Sequence, residues 1–265
     1  MSLIGFIGAG NMGYAMLCGL AKNFLKDEIT FTDVNIDRCE FVKRETGLDY
    51  KENNIDVVKS AKYIVLAIKP QYYQLVINEI KEYVTKDHII ISIAPGITIE
   101  DLKIEFRESK IVRAMPNTPA FVLEGMSGVC FSNDVYLEEE KKLVQKFFTS
   151  FGRYEVLDEK LMNAVVCASG SSPAYVYMFI EALADSSVKY GIPRDKAYTL
   201  AAQTVLGAAK MVLETKEHPG ALKDNVCSPG GSTIAGVCAL EEYGFRNAIM
   251  KASDACYEKA TSIKK

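Results

Sequence analysis

The apolar positions of this chain change their period once. From the start to about residue 157, short runs that are apolar almost throughout alternate with amphipathic stretches: LIGFI (3–7), ITFT (29–32), YIVLAI (63–68), HIIISI (88–93) and KIVRAM (110–115). Runs this short and continuous predict strands buried on both faces, as in a parallel sheet covered by helices. Two further runs, SGVCFS (127–132) and YEVL (154–157), flank the acidic helical stretch LEEEKKLVQKFFTSF, so the sheet is expected to continue to about residue 157. From Glu159 onward the period is 3.6, through EKLMNAVVCAS, SPAYVYMFIEALADSSVKY, PRDKAYTLAAQTVLGAAKMVLETK, TIAGVCALEEY and FRNAIMKASDACYEKATSI. The pattern predicts an α/β chain in two domains, a doubly wound sheet over residues 1–157 and an all-helical domain over 158–265. Several helices, AYTLAAQTVLGAAKMVL above all, are apolar nearly all round, which is more than a bundle of about 105 residues hides by itself. The surplus predicts a subunit interface on the helical domain.

Composition narrows the partners. Of 265 residues 49% are hydrophobic, and 31 Lys and Arg stand against 34 Asp and Glu for a net charge of -3. With no basic cluster, the attraction that drives nucleic-acid binding is missing. The opening MSLIGFIGAGNMG has no basic leader before a long apolar run, and no segment approaches the roughly 18 apolar residues of a membrane helix, so a cytoplasmic protein is expected. The seven cysteines (18, 39, 130, 167, 227, 238 and 256) are odd in number, scattered and without a CxxC pair, and only His88 and His218 offer imidazole. Neither a disulfide framework nor a metal site is indicated, and buried reduced thiols are expected.

The candidate chemistry begins at Gly8-Ala9-Gly10-Asn11-Met12-Gly13. This GxGxxG follows a predicted strand, opens a predicted helix, and precedes a second strand ending at Asp33, about twenty residues on. Its glycines suit a tight turn, close approach of a pyrophosphate, and helix-on-strand packing, with amides at the helix start facing the phosphates. A Rossmann-type site for NADP or NAD is expected. A ligand-free glycine turn and an adenosyl-cofactor methyltransferase loop fit the same residues. Lys69 and Pro70, and Met115, Pro116, Asn117 and Thr118, fall at strand ends on the same edge, with Asn54 and Ala94 in nearby connections. An acid at the position of Asp33 favours NADH by bonding the ribose hydroxyl, and Arg38 nearby could offset its repulsion of a 2′-phosphate.

The motifs FIGAGNMG, AIKPQ, MPNTPA, ASGSSPAY, HPGALKDNV and SPGGSTIAGVCALEEYGFR occur in the order and spacing of one family. Over residues 3 to about 262 the chain resembles the pyrroline-5-carboxylate reductases, the Pro-Gly-Gly segment most specifically. The resemblance implies reduction of the cyclic imine 1-pyrroline-5-carboxylate to L-proline, the last step of proline biosynthesis, with NADPH or NADH as hydride donor. It implies a homodimer made by the helical domains, with further assembly common. Cofactor contacts then fall on Gly8 to Gly13, Asp33, Asn35, Asn54, Ala67, Ile68, Lys69 and Ala94, and substrate contacts on Glu159, Asn225, Ser232 and Thr233. Ser172 stands where the family more often has glycine.

A protonated imine accepts hydride without strong acid catalysis, so the enzyme must chiefly hold the ring, bind a carboxylate, and offer the nitrogen a hydrogen bond. If TIAGVCALEEY is helical, the amides after Gly230 and Gly231 lie at its positive end and suit the carboxylate, and Thr233 can serve the imine nitrogen as the catalytic residue. Alternatively, Ser232 and Thr233 are ordinary helix caps and Pro-Gly-Gly an ordinary turn. Glu159 fits a first-turn charge equally well. Two rivals complete the picture. A β-hydroxyacid dehydrogenase shares the domain plan but usually carries a catalytic lysine in the first helix of its second domain, and ASGSSPAYVYMF has none. A dinucleotide sensor would bind cofactor and turn nothing over.

Overall fold

The computed structural model describes residues 2–262. Eight strands form one sheet: β1 (Ser2–Ile7), β2 (Ile29–Thr32), β3 (Asp49–Tyr50), β4 (Ala61–Leu66), β5 (Ile89–Ser92), β6 (Lys110–Met115), β7 (Gly125–Phe131) and β8 (Gly152–Val156). Their order is β3-β2-β1-β4-β5-β6-β7-β8. Six helices connect them: α1 (Asn11–Asn23), α2 (Ile36–Thr46), α3 (Asn54–Ser60), α4 (Tyr73–Ile80), α5 (Ile99–Glu105) and α6 (Glu138–Thr149).

The continuous apolar runs are buried on both faces because successive side chains point to opposite sides. Phe6, Val65, Ile91 and Val112 pack with Leu17 and Leu20 of α1 and Phe147 and Phe148 of α6. Their neighbours Ile7, Ile64, Ile90 and Ile111 pack with Val57, Val58, Ile77 and Leu102 on the other face. Ladders from β1 to β6 are parallel, as expected. Strand β7 differs, running antiparallel to β6, with Val112 opposite Phe131 and Met115 opposite Gly128. Only residues 116–124 join the two strands, and a parallel return needs a crossover of about a dozen residues or more. The two-residue edge strand β3 is a further addition.

Contacts divide the chain into two compact units, one of residues up to Ser171 and from Cys256 onward, the other Ser172–Ala255. In the first, residues 159–169 depart from the expected uninterrupted helix: a 3₁₀ turn (Glu159–Leu161), α7 (Met162–Val165) and a π turn (Val166–Gly170) follow one another. Next come α8 (Ser172–Lys189), α9 (Arg194–Thr215), α10 (Pro219–Val226), α11 (Ser232–Glu242) and α12 (Phe245–Ser262). The periodicity placed four of these five, α12 as far as Ile263, which lies outside the described residues. Helix α10 is new, starting with proline at its first turn and His218 as its cap, whose Nδ1 accepts from the Gly220 amide at 3.1 Å.

Candidate functional site

Between β1 and β4 the strand order reverses, and their carboxyl ends open a crevice. Ile7 pairs with both Thr32 and Leu66, which brings the glycine loop, Asp33 and Ala67 to one edge. The three glycines have separate reasons to be there. Gly8 has φ +98°, and a Cβ on it would lie 2.6 Å from the Ala67 carbonyl oxygen. A Cβ on Gly13 would meet the Gly8 carbonyl oxygen at 2.5 Å, so helix and loop touch there. Gly10 is the opposite case: among the described residues nothing lies within 4 Å of where its Cβ would be. That open cradle, at the start of α1 where the first amides have no helical acceptor, fits an approaching pyrophosphate.

Gly10, Asn11, Met12, Ala67, Ile68, Lys69, Pro70 and Ala94 line one cleft of about 480 Å3, together with Ile93, Pro95, Met115, Pro116, Val166, Gly170 and Ser171. Gly8, Ala9 and Gly13 stand behind its surface and shape it. Asp33 holds the loop directly: Oδ2 accepts from the Ala9 amide at 2.8 Å and Oδ1 from the Asn35 amide at 3.0 Å. Arg38 reinforces that contact, its Nε donating to the Ala9 carbonyl at 2.6 Å while the guanidinium lies over the Tyr14 and Phe41 rings. Asn35 caps α2, accepting from the Asp37 and Arg38 amides. Asn54 opens α3 and donates to Glu79 Oε2 at 2.7 Å. Asn117 is buried, donating to the Ser169 carbonyl at 3.0 Å and accepting from the Met126 amide at 2.8 Å. Its amide is committed on both sides, so Asn117 acts on the cleft by fixing the π turn that forms part of the wall.

Glu159 belongs to the first unit, where its Oε1 accepts from the Ile99 amide at 2.7 Å and from Arg113 Nη1 at 2.9 Å. Arg113 was not anticipated. It is 3% exposed, and its Nε has no partner among the described residues. The signal was a charge in the middle of the apolar run KIVRAM, because a buried cation in a strand requires an acid nearby.

Asn225, Gly230, Gly231, Ser232 and Thr233 belong to the second unit. Asn225 is an exposed residue near the end of α10. Gly230 has φ +67°, a conformation that favours glycine, and Gly231 is the residue before the first turn of α11. This decides one of the two readings of the hydroxyls. Gly231 takes the capping position and α11 has no side-chain cap, so Ser232 and Thr233 lie inside the first turn, exposed, beside amides without helical acceptors.

The family model described as pyrroline-5-carboxylate reductase dimerisation matches residues 159–263. A second, described as NADP oxidoreductase coenzyme F420-dependent, matches residues 3–96. The pyrroline-5-carboxylate reductase of Escherichia coli (strain K12) is 46% identical over 265 residues, which cover 99% of this chain and 98% of that protein. The chain belongs to the pyrroline-5-carboxylate reductase family. Two solved family members share its fold over 100% of its length. That of Coxiella burnetii has a TM-score of 0.92 at 33% identity, with 99% of its own chain covered. That of Plasmodium falciparum, solved with NADP bound, has a TM-score of 0.88 at 35% identity, with 98% covered. The Rossmann-like sheet followed by a helical C-terminal region is thus the fold of this family.

Proposed function

We infer that the chain is an NAD(P)H-dependent oxidoreductase that reduces 1-pyrroline-5-carboxylate to L-proline, the last step of proline biosynthesis. The observation that carries this is the 46% identity to a relative of that name across both ends of both chains. It spans the glycine loop and the Pro-Gly-Gly-Ser-Thr segment alike. Residues 1–157 serve as the dinucleotide domain and 158–265 as the helical domain for dimerisation and substrate. The working form is a homodimer through the helical domain. No helix among the described residues is long and apolar enough to cross a membrane, and the placement we propose is the cytoplasm.

The residues divide the work by what they can hold. Open space at Gly10 and the amides at the start of α1 suit the pyrophosphate, and Ala67 to Pro70 with Ala94 bound the rest of the cleft. When bound, the reduced nicotinamide supplies the hydride. Amides at the start of α11 suit the substrate carboxylate, since the positive helix end and three unsatisfied donors favour an anion. Thr233 offers its hydroxyl to the imine nitrogen. Glu159 and Asn225 complete the substrate contacts we assign. Strong acid catalysis is not required of any of them, because a protonated imine is already electrophilic.

A steady-state assay of 1-pyrroline-5-carboxylate with NADPH and with NADH tests the reading. Oxidation of either cofactor is expected, with weak reversal from proline near neutral pH because a protonated amine is a poor hydride donor. Cofactor binding without turnover would establish the sensor alternative instead.

A further inference from the structure

All seven cysteines are reduced thiols here. Two that are far apart in sequence meet within the first unit. Cys167 sits in the π turn at 8% exposure, its Sγ donating to the Asn163 carbonyl at 3.5 Å. Cys256, half-buried on α12, donates to Ser171 Oγ at 3.3 Å, four residues on from Cys167 along the same turn, and its thiol interacts with that of Cys167. The chain around this pair also forms the cofactor cleft. Val166, Gly170 and Ser171 line that cleft, and the Ser171 amide closes the π turn on the Val166 carbonyl at 2.7 Å. A π turn is a rare local geometry, held by its surroundings and often placed where an element meets a site.

We propose that Cys167 and Cys256 form a dithiol modification site, which small disulfides convert to an intramolecular disulfide that deforms the cleft wall and slows turnover. To bond, the sulfurs must close to about 2.05 Å. The π turn and α12 are therefore drawn together, and Gly170 and Ser171, continuous with the turn, move with it. In a reducing compartment such a bond is transient and reports oxidant.

The chemistry balances with a glutathione-type disulfide as oxidant. The Cys256 thiolate, the more exposed of the two, attacks one sulfur of the reagent, whose S–S bond breaks to release one thiol. Deprotonated Cys167 then attacks Cys256 Sγ in the mixed disulfide and expels the second reagent thiol. Two protein thiols are oxidised, one reagent disulfide is reduced to two thiols, and the two protons pass to those thiols. Burial, and then the hydrogen-bonding contact with Cys256, pushes the Cys167 thiol up to about 11. The second step therefore accelerates as pH rises toward that value.

The cleft coupling rests on the functional reading above, whereas the bond itself does not. The test treats the full-length protein with oxidised glutathione at several pH values, digests it without reductant, and follows turnover in parallel. We expect a peptide pair joined through Cys167 and Cys256, forming faster at higher pH. Turnover should fall about tenfold or more, as for a small displacement at a positioned site, and recover with dithiothreitol. Cys167→Ser and Cys256→Ser should match the untreated protein in turnover and resist the loss. Absence of that peptide pair overturns the modification site. An equal loss of turnover in Cys256→Ser, or a joined peptide with unchanged turnover, overturns the coupling to the cleft. A protein inactive before treatment refutes the functional reading and leaves the peptide result to be read by itself.

Discussion

Single atoms separate the roles of neighbouring residues. Gly8→Ala places a Cβ against the Ala67 carbonyl at φ +98° and should destabilise the fold by about 1–3 kcal/mol. Gly10→Ala adds a methyl to open space, so it should melt as the parent does without cofactor yet bind NADPH far more weakly. Paired thermal melts and cofactor titrations check this. Equal binding by Gly10→Ala would mean that the cradle holds no pyrophosphate. Thr233→Ala tests the catalytic assignment more cleanly than the sequence allowed. Because Gly231 takes the capping position, loss of the hydroxyl should change stability by less than about 0.5 kcal/mol. If Thr233 bonds the imine nitrogen, turnover should drop about 10²-fold, as for other preorganised donors, while Thr233→Ser retains most of it. Parent-level turnover in folded Thr233→Ala removes Thr233 from the mechanism.

Elements are held to one another by a few buried charges as well as by the apolar faces. Glu140 of α6 is 3% exposed and bonded to Lys62 of β4, Lys110 of β6 and the Leu137 amide. Burial pushes its carboxyl up, but the bonds from Lys110, the Leu137 amide and Lys62 outweigh this and hold it at about 2. A carboxylate whose folded-state pKa is depressed stabilises the protein above its unfolded pKa, and that contribution disappears as pH falls through the folded value. The window therefore runs from the ordinary carboxylate range near 4.5 down to about 2. Glu140→Gln should lower stability near neutral pH by on the order of 3 kcal/mol and flatten the acid limb of Tm against pH. An acid limb as steep as the parent's would show that other groups carry it. The helical stretch from Glu159 to Ser169 illustrates what periodicity misses at this scale. Its apolar spacing suits a helix, but Asn117 and the Glu159–Arg113 pair anchor it from outside, and the backbone divides into 3₁₀, α and π turns.

At the scale of the molecule, the second unit has little core of its own. Its buried cluster is Ala184, Ala197 and Ala201, while Tyr175, Met178, Phe179, Leu240, Phe245 and Ile249 line an apolar groove of about 550 Å3. Met178, 69% exposed in the single chain, is well placed to test the dimer. Met178→Glu adds a charge that must be desolvated on pairing, at a cost of several kcal/mol. Light scattering should then show dissociation, with helix signal and turnover lost together, whereas a dimer of normal turnover would exclude this groove from the interface. The need for that interface was already legible in AYTLAAQTVLGAAKMVL, as was the sheet in its apolar runs and the tight turn from β1 into α1 in GAGNMG. Those features are local: a period, a run length, or a backbone conformation that only glycine takes easily. The reversal of β7, the Asp33–Ala9 and Arg113–Glu159 bonds, and the meeting of Cys167 with Cys256 were decided by tertiary structure alone. An apolar run is the same in either direction, and a side chain has no partner until packing brings distant segments within a few ångströms of it.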